Sequence, residues 1–346
     1  MDFAIRTLLE QAIRSQFCCD GEQIAKLSGG FSGTPIFQFS IEAQLWIARG
    51  WPCSEESRNK IENWSKVASL LEQQVAELKP WFDHSPIPRP VPWNAVIFNN
   101  LLALQLGDHL WTLSKWVPGE PLQSGDVTYD CLIGYVKQLA ALHRLTRQLQ
   151  HNRALSSGLI ERRNLLVGIQ DDLSRIATVC SHHPLRNELA QFIIKCSERA
   201  RIWLPTIDRL ANRECECQWI LRDLWRDNLL VDGDNRWIHT VDVGASRVDW
   251  PAFDFVRLVG SLLQPVNEDR DHIDWQNLLD AYNAINPYSD MPQAKDLQTI
   301  HEASTAISII FWAKRHNEQN VAPELVASRT ARMRELLKTF LASETI

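Results

Sequence analysis

Trp219-Ile220-Leu221-Arg222-Asp223-Leu224-Trp225-Arg226-Asp227-Asn228-Leu229-Leu230-Val231-Asp232-Gly233-Asp234-Asn235 runs directly into Arg236-Trp237-Ile238-His239-Thr240-Val241-Asp242-Val243-Gly244. Two apolar-rich runs flank the turn-forming residues Asp232 to Asn235, which is the pattern of a β-hairpin. With those four residues as the loop, Val231 pairs with Arg236 and Asn228 faces His239. The same ladder carries Asp242 alongside Trp225, within the loop from Asp223 to Asn228. Two carboxylates and an amide are thereby expected at the open end of one hairpin. Phosphoryl transfer needs such a set: a base for the acceptor hydroxyl and oxygen ligands for Mg²⁺ on the nucleotide phosphates. Asp223 suits the base, Asn228 and Asp242 the metal. A calcium loop opening at Asp232 is excluded, because its twelfth position is Val243 rather than a bidentate Glu.

Outward from this hairpin the chain changes texture twice. Residues 3–17 place Phe3, Ile5, Leu8, Leu9, Ala12, Ile13 and Phe17 near helical spacing, which predicts an amphipathic helix. Ile24 to Trp51 alternates in short runs broken at Ser28 to Gly33 and around Glu42, which predicts a three-strand antiparallel meander. Residues 55–78 carry a wide apolar stripe of helical period. Pro80 to Pro92 holds five prolines and is excluded from regular helix. Strands are predicted at 95–106 and 109–117, and the Pro118-Gly119 turn then stops the strand pattern. Helices are predicted from Cys131 to Leu149, over 160–178 and 185–210, and again from about 252. The fold class expected is α+β: a five-stranded antiparallel sheet with a helix in a lobe spanning 1–116, then a mostly helical lobe spanning 117–346.

The chain has 346 residues, 23% charged and 45% hydrophobic, with a net charge of −6. This composition is that of a globular protein and does not point to a nucleic-acid or anionic-membrane partner. The longest apolar run, Ala306 to Ala313, is far too short to span a bilayer. Met1 to Arg6 lacks the basic segment and apolar core of a signal peptide, and the eight cysteines have no metal-site spacing, so a cytoplasmic location with free thiols is expected.

Several segments together resemble one family. Arg222-Asp223 through Asn228, followed by Asp242-Val243-Gly244, resembles the catalytic loop and metal-binding Asp of the aminoglycoside phosphotransferase and choline kinase-like family, which has the protein-kinase fold. Leu27-Ser28-Gly29-Gly30-Phe31-Ser32-Gly33 resembles its nucleotide-covering loop, and Val117-Pro118-Gly119-Glu120 its linker. Leu139-Ala140-Ala141-Leu142-His143 resembles its first large-lobe helix, and Asp249-Trp250-Pro251-Ala252-Phe253-Asp254 its segment after the metal ligand. The resemblance covers residues 25–260. It implies a bilobal kinase-like fold and a Mg²⁺-dependent transfer from ATP or GTP to a small-molecule alcohol. Only Val243 to Asp249 separates Asp242 from the Trp-Pro-Ala segment, which leaves no room for a peptide-substrate platform.

The resemblance also assigns the nucleotide side. Backbone N–H groups of Gly29, Gly30, Phe31, Ser32 and Gly33 would meet the phosphates, and the base would meet backbone near Ser114 and Trp116. Where the fold carries a Lys on its third strand, this chain has Arg49. Strand alternation puts Ile47 on the same face, toward the base. Arg49 is expected to hold phosphate with Glu62 as its acid partner, Glu56 being the competitor. The family's usual His-Gly ahead of the catalytic Asp is replaced by Leu221-Arg222. His143 and Asp254 read as structural, Asp249 as either. Trp225, Trp250 and Trp275, with the acidic run from Asn267 to Asp274, are candidates to receive a cationic acceptor. The alternative is a kinase-fold binding module that holds a nucleotide or partner without turnover.

Overall fold

Glu42 and Ala43 both adopt left-handed backbone angles (φ 48° and 64°), so Ile41 pairs with Gln44 and the chain reverses in two residues. Such a turn matches the twist of the strands it joins. The computed structural model describes residues 3–17, 25–27, 34–83, 85–92, 102–122, 127–179, 183–262, 274–315 and 323–342. The chain divides into two units, Met1–Leu122 with Asp227–Arg247, and Gln123–Arg226 with Val248–Ile346.

In the first unit, helix α1 (Phe3–Phe17) precedes the strands β1 (Ala25–Leu27), β2 (Ile36–Ile41) and β3 (Gln44–Pro52). Helix α2 (Glu55–Gln73) and the single turn α3 (Val75–Leu78) follow, then β4 (Pro90–Val91), β5 (Leu104–Leu106) and β6 (His109–Lys115). The antiparallel sheet has the order β1-β2-β3-β6-β4, with β5 also on β6. Strands stand at the five expected places, the one expected over 95–106 being seen at Leu104–Leu106 with residues 95–101 outside the described ones, and the two-residue β4 adds to them. One face of the sheet buries Phe37, Phe39, Trp46, Ala48, Trp111 and Leu113 against Leu9, Ala12 and Ile13 of α1. The Ser54 side chain caps α2 by accepting the Ser57 N–H at 3.1 Å, and Ile61, Trp64, Val67, Ala68 and Leu71 form its buried stripe.

The hairpin of β10 (Leu229–Val231) and β11 (Trp237–Thr240) belongs to this unit, although the sequence places the lobe boundary after residue 116. The cause is β7 (Glu120–Pro121), which pairs with Leu230 and Val231, while the Leu122 N–H donates to the Leu229 carbonyl at 3.0 Å. Gly119 makes this approach at φ 117°, where a Cβ would lie 3.0 Å from both Leu230 and Ile238. The proline-rich segment seals the other side. Pro86 O accepts the Thr240 N–H at 2.7 Å, Pro88 O accepts the Trp64 indole N–H at 2.8 Å, and Phe82 meets Trp237 edge-on at 5.3 Å.

In the second unit the helices are α4 (Tyr129–Thr146), α5 (Ser157–Val167), α6 (Ile169–Val179), α7 (Arg186–Ala211), α8 (Ala252–Leu262), α9 (Trp275–Ile285), α10 (Ala294–Arg315) and α11 (Pro323–Ala342). A sheet of order β12-β9-β8 joins Arg247–Asp249, Glu214–Ile220 and His151–Leu155. Strand β8 falls between the helices expected over 131–149 and 160–178, where the sequence predicts no strand. Its side chains are mostly exposed, so no apolar alternation marks it, and pairing with β9 alone makes it a strand. The helix expected over 160–178 is two helices, interrupted at Gly168. Cys53, Cys131, Cys196, Cys215 and Cys217 are free thiols. No helix among the described residues is long and apolar enough to cross a membrane.

Candidate active site

The hairpin register differs from the sequence expectation, and the difference tightens the site. Leu229 pairs with Thr240, Leu230 with His239 and Val231 with Trp237, with an irregularity between Leu230 and Val231. The Asp232 carboxylate causes the shift. One oxygen accepts the Asp234 and Arg236 N–H groups at 3.0 and 2.9 Å and the other accepts the Arg236 Nε–H at 2.7 Å, which draws five residues into the loop. Asn228 therefore faces Val241, whose N–H donates to the Asn228 carbonyl at 2.9 Å, and not His239. Asp242 follows directly, so the two expected metal ligands flank one backbone hydrogen bond.

Asp242 itself sits in the left-handed region (φ 56°, ψ 47°), a costly conformation for a residue with a Cβ. The following 3₁₀ turn, Val243–Ala245, fixes it by docking on Trp51. A Cβ on Gly244 would lie 2.7 Å from the Trp51 indole, so only glycine permits the approach. Trp51 is positioned in turn by donating its indole N–H to Thr112 Oγ1 at 3.0 Å.

Strand β3 alternates between buried Trp46, Ala48 and Gly50 and half-buried Ile47 and Arg49, so the last two share a face as expected. The Arg49 guanidinium stacks 4.5 Å from the Trp51 ring centroid and donates to Asp242 Oδ1 at 2.5 Å. Arg49 thus takes Asp242 as its acid, and the expectation of Glu62 in that role is corrected. Glu62 is exposed on α2, because one residue past buried Ile61 it is turned about 100° off the apolar stripe. Glu56 pairs with Lys60 at 2.6 Å. Ser114 is buried in β6 between Ile47 and Pro90, and the Trp116 N–H donates to the Leu45 carbonyl at 2.9 Å, which removes one backbone donor from those available to a base. Gly29, Gly30, Phe31, Ser32 and Gly33 lie outside the described residues, as does the acidic run from Asn267 to His272.

Within the second unit the loop at Asp223 is held from beneath. Asp254 is fully buried; its two oxygens accept the Leu221 N–H at 2.7 Å and the Arg222 N–H at 2.5 Å. His143 Nε2 lies 3.0 Å from the same carboxylate, and its Nδ1 lies 2.7 Å from the Tyr282 hydroxyl. A carboxylate only accepts, so His143 donates to it from Nε2. The pair of backbone bonds explains how Arg222 tolerates φ 68° where the family usually has glycine. Asp249 resolves to a structural role. It is buried and accepts from Ser156 and Ser157 hydroxyls and the Gly158 N–H at 2.5, 3.1 and 2.9 Å, capping α5.

Asp223 itself accepts from Arg257 of α8 at 3.1 Å. The Arg257 guanidinium stacks 4.6 Å from the Trp225 centroid, and Arg332 of α11 stacks 4.1 Å from the same ring. Arg332 and Arg226 share Glu335. The C-terminal helix, in which the sequence shows no motif, thereby buttresses residues 225 and 226. Arg257 and Arg332 were missed because no local pattern marks them; Trp51 was legible, two residues beyond Arg49 on the same strand face.

The donor set suits Mg²⁺. Asp242 and Asn228 meet at the hairpin end through their backbone, and a carboxylate with a side-chain amide is the few-ligand protein contribution this ion takes alongside phosphates. Asp242 uses only Oδ1 for Arg49 among the described residues, so Oδ2 remains for a cation.

Solved structures share this fold at low sequence identity. An aminoglycoside phosphotransferase from Alicyclobacillus acidocaldarius is 15% identical with a TM-score of 0.60, covering 96% of this chain and 94% of that one. Amicoumacin kinase hAmiN, in complex with AMP-PNP, Ca²⁺ and Ami, is 12% identical with a TM-score of 0.61, covering 96% and 92%. A microcompartment-associated aminopropanol kinase is 13% identical with a TM-score of 0.58, covering 96% and 95%. No curated protein matches the sequence. The family model described as the phosphotransferase enzyme family matches residues 23–295, most of the chain, and this protein belongs to that family.

Proposed function

We propose that this chain transfers the γ-phosphoryl group of ATP or GTP to the hydroxyl of a small molecule, with Mg²⁺. The observation that carries the reading is the hairpin end, where the Arg49 guanidinium, the Asp242 carboxylate and Asn228 come together on one unit. A cation beside a hard anionic ligand is what a polyphosphate–metal complex requires. Mg²⁺, when bound, neutralises the charge that develops between the β- and γ-phosphates. Arg49 binds phosphate oxygens with donors of fixed geometry. Asn228 and Asp242 hold the cation. Asp223 orients the acceptor hydroxyl and takes its proton as the new P–O bond forms and the bond to the leaving diphosphate breaks. The Asp254–His143–Tyr282 network keeps the backbone ahead of Asp223 in place. Structural relatives named as an amicoumacin kinase and an aminopropanol kinase are consistent with a small alcohol as acceptor.

The Arg49–Asp242 ion pair favours one other reading, a nucleotide-binding module without turnover, since the pair engages the metal ligand. Two variants separate them. Asp223→Ala is expected to abolish ADP release while nucleotide affinity changes less than threefold. Asp242→Ala is expected to abolish the Mg²⁺-dependent part of nucleotide binding in a thermal-shift titration. Full turnover in Asp223→Ala would overturn the assignment, and Mg²⁺-dependent ATP binding with no turnover on any acceptor would favour the binding module.

A further inference from the structure

The surroundings of Asp223 are basic where a cationic acceptor would need acids. Arg257 and Asp223 are each about one-third exposed (34% and 39% of their side chains), so a substrate can touch this pair. Arg257 donates to Asp223 through one nitrogen at 3.1 Å, and its stacking on Trp225 fixes the plane in which its other donors lie. Among the described residues, Asp227 of the loop is exposed, while two neighbouring acids are engaged by arginines. Glu161 binds Arg222 at 2.6 Å, and Glu335 binds both Arg226 and Arg332. Buried Asp249 and Asp254 are saturated with hydroxyl, backbone and imidazole donors.

Further positive charge lies behind Arg257. Arg162 donates to Ser304 and the Gly158 carbonyl and stacks on Phe253. Burial, reinforced by the charges of Arg222 and Arg257, brings its pKa down to about 9. His301 is brought down to about 4 by burial and by the Arg257 charge. The aromatic faces that the sequence offers to an ammonium group are also taken. Trp225, Trp250 and Trp275 are all buried, and Trp225 already carries Arg257 and Arg332.

We propose that the acceptor alcohol carries an anionic group, a carboxylate or a phosphate ester, which the Arg257 guanidinium receives beside Asp223. The proposal rests on the phosphotransferase reading and names its substrate class. A guanidinium presents paired N–H donors that match a carboxylate or phosphate, which an ammonium group cannot exploit. Arg257 lies in direct contact with Asp223, so the anion and the reacting hydroxyl are joined by a path of three hydrogen bonds and lie at most ~9 Å apart. Short hydroxy acids and phosphorylated polyols fit within that span.

The test compares matched acceptors in a coupled ADP-release assay: D-glycerate and glycerol 3-phosphate against glycerol, ethanolamine, choline and kanamycin. The anionic members are expected to show kcat/KM at least tenfold above glycerol. Arg257→Gln is expected to raise their KM at least tenfold with the KM for ATP changed less than twofold, and Arg257→Lys to give an intermediate value. Arg153→Gln, an exposed arginine on β8, serves as the control. A preference for ethanolamine, choline or kanamycin, or an unchanged KM in Arg257→Gln, overturns the proposal and leaves the phosphotransferase reading intact. A binding arm needs no turnover: D-glycerate and inorganic phosphate are titrated into wild type and Arg257→Gln, with folding checked by circular dichroism. Binding lost at least tenfold in the variant supports the proposal, and equal binding, or none in wild type, overturns it. Phosphate binding abolished by AMP-PNP with Mg²⁺ would place the nucleotide's γ-phosphate on Arg257 and also overturn it. If D-glycerate binds through Arg257 but ATP is never consumed, the phosphotransferase reading alone fails.

Discussion

Asp254→Asn changes one atom of a fully buried side chain, and the cost can be worked from its three partners. The carboxylate accepts the Leu221 N–H, the Arg222 N–H and the His143 Nε2–H. An amide has one acceptor oxygen. Its cheaper orientation keeps oxygen toward Leu221 and His143 and turns the NH₂ toward the Arg222 N–H, which faces another donor. An orphaned buried N–H costs ~1–3 kcal/mol, and two charge-assisted bonds reduced to neutral ones lose ~1 kcal/mol each. The sum is about 3–5 kcal/mol, in the range for breaking a buried charged network. Arg222 also loses what holds it at φ 68°, so the loop carrying Asp223 loosens. Urea denaturation is expected to show the lost stability. Amide exchange is expected to show Leu221 and Arg222 opening roughly a hundredfold to several-thousandfold more often, since 1.4 kcal/mol is a factor of ten. Turnover is expected to fall at least tenfold with the KM for nucleotide nearly unchanged. The double variant with His143→Gln is expected to lose less than the sum of the singles, by ~1–2 kcal/mol, because both remove the same bond. Stability within ~0.5 kcal/mol of wild type, with the Arg222 amide still protected, would refute the reasoning.

Gly244→Ala is expected to cost ~1–3 kcal/mol, because the added methyl meets the Trp51 ring at 2.7 Å and must displace either the indole or the turn behind Asp242. Thermal denaturation reads the cost, and Trp51→Leu in the same chain is expected to recover part of it by opening space. The acid limb of stability is expected to carry His301. Its folded pKa, about 4, lies below the ordinary imidazole value of 6.5, so the unfolded chain binds more protons between those values. The stabilisation is complete above pH 6.5 and is lost as the pH falls toward 4, by roughly 1–3 kcal/mol. Urea midpoints at pH 7 and 4.5 measure it, and His301→Phe is expected to flatten the slope in that window.

The sequence by itself determined the elements whose signal is local. Alternation around Glu42 specified the β2–β3 hairpin, since a strand repeats every two residues. The apolar stripe of α2 and the runs around the Asp232 turn were legible for the same reason, as were Asp223, Asn228 and Asp242, whose spacing is a property of the chain. Tertiary structure decided the rest. The two-residue shift that sets Asn228 against Val241 depends on how the Asp232 carboxylate gathers its own loop. Arg49 reaches Asp242 across 193 positions of sequence, and nothing local distinguishes that acid from Glu62. Arg257 and Glu335 meet the loop from 34 and 109 residues away, on helices whose periodicity records only that they are amphipathic. Packing brings such charges together, and an apolar pattern one helix long carries no information about which charged residue a distant element will supply.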